Sequence, residues 1–185
     1  MKNLMIALML MFTSNVFGEA IDVNLKKSHA VWTGTKVTGS HTGKVTVKSA
    51  KLMREKGNLS SVNVVMDMTS ITTTDITGEY ATKLVNHLRS PDFFDVENHK
   101  VASFKSDAFE AKGKNTYILK GDLEVKGKKQ QISMTVNKKG DVYVANFTFD
   151  RTKHGIKYGS GSFFKGLGDK LIHDEVKVEM TLATK

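Results

Sequence analysis

Six histidines are the first side chains to weigh for chemistry: His29, His41, His87, His99, His154 and His173. Metal sites and proton shuttles hold histidines at fixed spacings, such as two on one helix face. No HxH or HExxH pair occurs, and His87 and His99 need a loop to meet. Ser60, Ser61, Ser160 and Ser162 lie in turn-like contexts, and none stands in the GxSxG elbow that exposes a nucleophilic hydroxyl. The Gly159–Ser160–Gly161–Ser162 run lacks the lysine and the following helix of a phosphate loop. Asp67 lies on the polar face of an alternating stretch, and Asp169, Asp174 and Glu175 surround the start of another. The chain has no cysteine, so thiolate catalysis and cysteine-held zinc fall away. These residue types and spacings argue against an enzyme, a metal site or a cofactor.

The elements that would position these residues are strands. Val62, Val64, Met66 and Met68 alternate with polar neighbours; so do Tyr117, Leu119, Leu123 and Val125. Ile132, Met134 and Val136 repeat the pattern, as do Tyr143, Ala145, Phe147 and Phe149, then Val176, Val178, Met180 and Leu182. A period of two marks half-buried antiparallel strands, because successive side chains point to opposite faces. Weaker strands span residues 31–38, 44–53 and 101–109. Turn residues at Gly57–Asn58, Gly113–Lys114, Gly127–Lys128 and Gly140–Asp141 separate them. Short strands broken at near-regular spacing point to an all-β antiparallel sandwich or barrel, and about eight strands are enough to close a barrel around one small ligand. One stretch differs. Thr77 as cap and Glu79 in the first turn open a short helix, with Tyr80, Ala81, Leu84, Val85 and Leu88 on its apolar face. Ser90–Pro91 ends it. That face is expected to cover an end or flank of the barrel.

Residues 1–18 read as a secretory signal peptide: Lys2, an apolar run from Leu4 to Phe12, then small residues, with cleavage after Gly18 or Ala20. The run is shorter than the roughly 20 apolar residues that span a bilayer. Residues 21–185 then form one domain, long enough to bury a core without disulfides. No cysteine follows the apolar run, so a lipidated anchor is not expected. A net charge of +9 would suit nucleic acid, an anionic membrane surface or an acidic ligand. Export argues against nucleic acid, and the lysines are scattered near turns.

Three stretches together carry a resemblance. Ser28–His29–Ala30–Val31–Trp32–Thr33–Gly34 leads to Gly39–Ser40–His41–Thr42–Gly43. His87–Leu88–Arg89–Ser90–Pro91–Asp92–Phe93–Phe94–Asp95–Val96 is followed by Ala102–Ser103–Phe104. Gly121–Asp122–Leu123–Glu124–Val125–Lys126–Gly127 precedes Asp150–Arg151 and Gly155–Ile156. From about Ile21 to the end, the chain resembles the YceI-like family of periplasmic polyisoprenoid-binding proteins. It departs at His99–Lys100, where the family commonly has an aromatic–proline pair, and at Leu84–Val85, where it often has Arg–Asp. The resemblance implies a lipocalin-like barrel with a helical insertion, located in the periplasm and holding an isoprenoid lipid such as a polyprenyl phosphate or quinone precursor.

On that basis Trp32, Val64, Met66, Phe93, Phe94, Phe104, Leu119 and Phe147 are expected to line the ligand. Of Phe93 and Phe94, one is expected to plug the core beneath the helix. Arg151, with His154 nearby, is the candidate for a head group at the barrel mouth, since a guanidinium can fork onto phosphate. The alternatives are another small amphipathic ligand in the same cavity, or a hydrolase working with a residue at the mouth. Transient contact with a membrane surface and pairing of two copies through a barrel edge are the partner expectations.

Overall fold

The computed structural model describes residues 18–185. The expected signal peptide therefore falls outside the described residues, apart from Gly18. Among the described residues the strands are β1 (Glu19–Ile21), β2 (His29–Lys36), β3 (Gly39–Glu55), β4 (Asn58–Asp67), β5 (Val101–Gly113), β6 (Thr116–Val125), β7 (Lys128–Lys139), β8 (Val142–Asp150) and β9 (Ile172–Ala183). One α-helix, α1 (Gly78–Arg89), lies between β4 and β5.

From β2 to β9 each strand pairs antiparallel with the next, and β9 returns to β2 through pairs such as Ala30↔Met180. The ring is a closed up-and-down barrel of eight strands, as the resemblance implies, built from the antiparallel strands that the alternation predicts. β1 adds a short strand on β3 beyond β2, with Ile21 opposite Leu52. The period-two apolar residues face inward: Val62, Val64, Met66, Tyr117, Leu119, Leu123, Met134, Val136, Tyr143 and Ala145 are all buried. Gly121 sits where β6 presses on β5, and a Cβ there would come 2.2 Å from the Lys105 carbonyl oxygen. A glycine is required for that approach.

The strand directions put both long connections at one end of the barrel. There lie residues 68–100 with α1, and residues 151–171 between β8 and β9. The other end has the short turns between β3 and β4, β5 and β6, and β7 and β8, together with the N-terminal segment around β1.

α1 is seated less completely than its pattern predicts. Leu88 is buried, Leu84 and Val85 are half-buried, and Tyr80 is 77% exposed. The C-terminal half is tied down: Arg89 Nη2 donates to the Thr69 carbonyl at 2.7 Å, and the Phe94 amide donates to the Leu88 carbonyl at 3.1 Å. The N-terminal half has only local support. Thr77 makes no side-chain cap bond, and Glu79 pairs with Lys83 within the helix. Ser90 is extended ahead of Pro91, which ends the helix where expected.

Candidate ligand cavity

Inward side chains of the barrel enclose a cavity of about 120 Å³. Its wall is apolar: Ser103 is the one Ser, Thr, amide or charged residue, while Trp32 and Tyr143 contribute largely their rings. Seven of the expected lining residues are there: Trp32, Val64, Met66, Phe94, Phe104, Leu119 and Phe147. Met66, Met68, Met134 and Met180 line it together. Thioether chains have several rotamers of similar energy, so this wall can change shape.

Phe93 is the exception among the expected lining. Its ring lies 4.9 Å from His87 and 5.6 Å from Tyr158, beneath the helix and away from the cavity wall. Phe93 is thus the plug, and Phe94 the residue that faces inward. Adjacent residues of a turn point apart, and sequence order alone does not say which one turns in.

Residues 71–76 close over the wall at the helix end, which the sequence did not foreshadow. The Trp32 indole N–H donates to the Thr72 carbonyl at 3.1 Å. Gly43 lets this segment lie flat, since a Cβ there would come 1.8 Å from the Thr72 oxygen. Asp75 clamps the segment to β3: one carboxylate oxygen accepts from the Thr42 amide at 2.9 Å, and the other lies 2.8 Å from His41 Nδ1. Burial works to raise the Asp75 pKa, but the bonds from Thr42, His41 and Thr73 prevail and hold it at about 2. The Thr-rich stretch has no hydrophobic period, so its only sequence signal is an acid able to accept several bonds.

The structure corrects the head-group expectation for Arg151 and His154. Arg151 is 2% exposed, and all five of its N–H groups are engaged. Nε donates to the His173 carbonyl at 3.1 Å; Nη1 donates to the carbonyls of Ile156 at 3.0 Å and Tyr158 at 2.9 Å. Nη2 donates to the Ile172 carbonyl at 3.0 Å and to Asp174 Oδ1 at 3.4 Å. No donor remains for a phosphate. Burial lowers its pKa, opposed by the charges of Asp174 and Asp150. Burial also works to raise Asp174, but bonds from Ser162 and Ser160 and the Arg151 charge hold it low. The Asp150–Arg151 turn is a structural tie that fastens the β8–β9 connection across the barrel end.

His154 is fully buried, with Nδ1 2.8 Å from the Lys128 carbonyl. A carbonyl only accepts, so Nδ1 carries the proton. Burial depresses the ring's pKa, partly offset by the Lys128 and Val125 carbonyls. The ring packs edge-on to Phe149, 5.5 Å between centroids. His87 and His99 have separate partners, Asp92 and Asp95, and among the described residues no group of three or more His, Cys, Asp or Glu is arranged to hold a metal ion.

The barrel wall has a weak seam at its helix end; the β4–β5 ladder, from Asn63↔Lys105 to Asp67↔Val101, is as short but lapses at the other end. β7 and β8 pair from Lys139↔Val142 to Thr135↔Asn146 and no further. Towards the helix end, residues 128–134 of β7 and 147–150 of β8 run without ladder pairing to each other. Met134, Phe147 and Phe149 on either side of the seam line the cavity, and Ile132 and Phe147 are half-buried. The His154–Lys128 bond closes the seam's end.

The family model described as the YceI-like domain matches residues 20–184. Among solved structures, the chain is similar to Burkholderia cenocepacia BcnA, with 21% identity over 89% of this chain and 100% of that one, and a TM-score of 0.70. It is also similar to the Campylobacter jejuni YCEI protein, with 15% identity over 100% of this chain and 93% of that one, and a TM-score of 0.57. A polyisoprenoid binding domain from Saccharophagus degradans, implicated in plant cell wall breakdown, matches at 13% identity over 91% of this chain and 99% of that one, with a TM-score of 0.62. At these identities the likeness is one of fold. No curated protein matches the chain.

Proposed function

The chain belongs to the YceI-like domain family, and from that premise we propose that it is a periplasmic carrier that binds an isoprenoid lipid inside its barrel without covalent chemistry. The observation that carries this reading is the cavity wall, apolar on every side and contributed by all eight strands of the ring. Removing a hydrocarbon chain from water gains roughly 25 cal/mol per Å² of apolar surface, less the cost of ordering it. Such a site needs few polar contacts, in keeping with the absence of catalytic spacings in the sequence. The Saccharophagus domain of the same fold is described as polyisoprenoid-binding, which supports the cargo class. Export is supported by the pattern of residues 1–18. Cleavage after Gly18 leaves β1 and the Glu19–Arg54 ion pair intact, whereas cleavage after Ala20 removes both.

Volume sets a condition on this function. Drug-sized ligands occupy pockets of roughly 300–1,000 Å³. A cavity of about 120 Å³ is smaller, so a long chain enters only as the methionine wall yields. The helix end of the β7–β8 seam is the route in, because parting residues 128–134 from 147–150 breaks no ladder pair and only the His154–Lys128 bond. The same volume favours a second reading, a shorter amphipathic ligand. Mass spectrometry of the organic extract of the protein purified from its own cells separates the two. An isoprenoid in the extract, and uptake of a fluorescent polyprenyl compound, are expected. A short amphipathic compound recovered instead would replace the isoprenoid reading, and an empty extract with no uptake would end both.

A further inference from the structure

We propose that the β8–β9 connection, residues 156–171, docks the protein on an anionic lipid bilayer. Phe163 and Phe164 are consecutive, and 48% and 50% exposed. Tyr158 is 46% exposed in the same connection. Val37, 55% exposed, stands on the β2–β3 turn, which is fastened to the connection by its amide bond to the Leu171 carbonyl. Large apolar groups gathered at one end of a barrel are unfavourable in water and mark a surface that meets something apolar.

The tip is held in shape. Arg151 fixes the Ile156 and Tyr158 carbonyls, Ser160 is fully buried, and the Phe163 and Phe164 amides both donate to its carbonyl. Ser162 is bound to Asp174 at 2.6 Å. The two phenyl rings thus stand out from a rigid base, so little ordering opposes their insertion.

Charge selects the occupant. Residues 156–171 hold Lys157, Lys165 and Lys170 against a single acid, Asp169, and Lys36 precedes Val37. Lys157 Nζ lies 4.5 Å from the centre of the Phe163 ring. Aromatic rings collared by long-stemmed lysines fit a bilayer: the rings enter the acyl boundary while the ammonium groups reach anionic phosphates. The unpaired part of the β7–β8 seam lies at this same end of the barrel. The inference deepens the carrier reading by naming the surface on which cargo is exchanged.

Co-sedimentation with vesicles tests it. The protein is expected to pellet with phosphatidylglycerol–phosphatidylcholine vesicles, less so as salt rises, and to remain in solution with phosphatidylcholine alone. F163S/F164S and, separately, K157E/K165E are expected to weaken binding roughly tenfold or more. Both should keep the wild-type circular dichroism and polyprenyl uptake from solution. Wild-type protein that ignores phosphatidylglycerol vesicles, or folded variants that bind as well as wild type, would overturn the proposal. So would a dimer, seen by sedimentation, that F163S/F164S dissolves while vesicle binding is absent. Vesicle binding with an empty lipid extract would leave docking standing and remove the cargo reading; the reverse pattern would do the opposite.

Discussion

Replacing Arg151 by lysine keeps a positive charge but removes the planar fork. Lysine has three donors and cannot span the five acceptors now served. Breaking a buried network of this kind costs about 3–5 kcal/mol. Arg151→Lys is therefore expected to lower the unfolding free energy measured by urea titration by that amount while leaving any preference between prenol and prenyl phosphate unchanged. A head-group role would show the reverse. Asp75 carries a pH dependence of its own. Its pKa falls from 3.8 in the unfolded chain to about 2 in the fold, so its stabilisation is complete above 3.8 and is lost as pH drops towards 2. Asp75→Asn should flatten the stability profile across that window. It should also free residues 71–76, read as greater quenching of Trp32, the only tryptophan.

Strand and helix behaviour follows from where each element is tied. Continuing the β7–β8 register by two residues from Thr135↔Asn146 places Ser133 opposite Thr148, both exposed. The chain has no cysteine, so S133C/T148C introduces one pair and no competing thiol. Oxidation of that variant should stitch the seam and slow polyprenyl uptake, and a reductant should restore it. Uptake at the wild-type rate by the oxidised protein would exclude the seam as the route. α1 gives the complementary case: its apolar stripe was readable, but only the half next to Leu88 is fastened by bonds to other segments. Periodicity marks which residues share a face and is silent on how far a neighbour extends along it.

At the scale of the molecule, the barrel joins a stiff hydrogen-bonded shell to a soft lining. If the lining must yield to admit a long chain, stiffening it should reduce uptake without unfolding the protein. M66I/M134I keeps the wall apolar and near its volume, and such swaps usually cost under about 1.5 kcal/mol. β-branched side chains have fewer rotamers. The variant is expected to melt close to wild type and to take up long polyprenyl chains poorly, with shorter chains affected less. Equal uptake at all lengths would place the adaptability elsewhere.

The sequence by itself determined the strands, their inward residues, the helix end at Ser90–Pro91 and the poverty of catalytic spacings. Those follow from local rules: side chains alternate along a strand, proline stops a helix, and chemistry needs particular spacings. Seven of the residues named for the lining, Trp32, Val64, Met66, Phe94, Phe104, Leu119 and Phe147, lie on the cavity wall because a barrel's inward face is also that wall. Only the tertiary structure decided that Phe94 rather than Phe93 turns inward, and that Arg151 is spent on backbone carbonyls more than twenty residues away in the chain. It alone revealed the short β7–β8 ladder and the aromatic tip beside the Lys36–Gly39 turn. Each of these depends on which distant segments meet, and a buried tie and an exposed ligand contact use the same arginine until its acceptors are known.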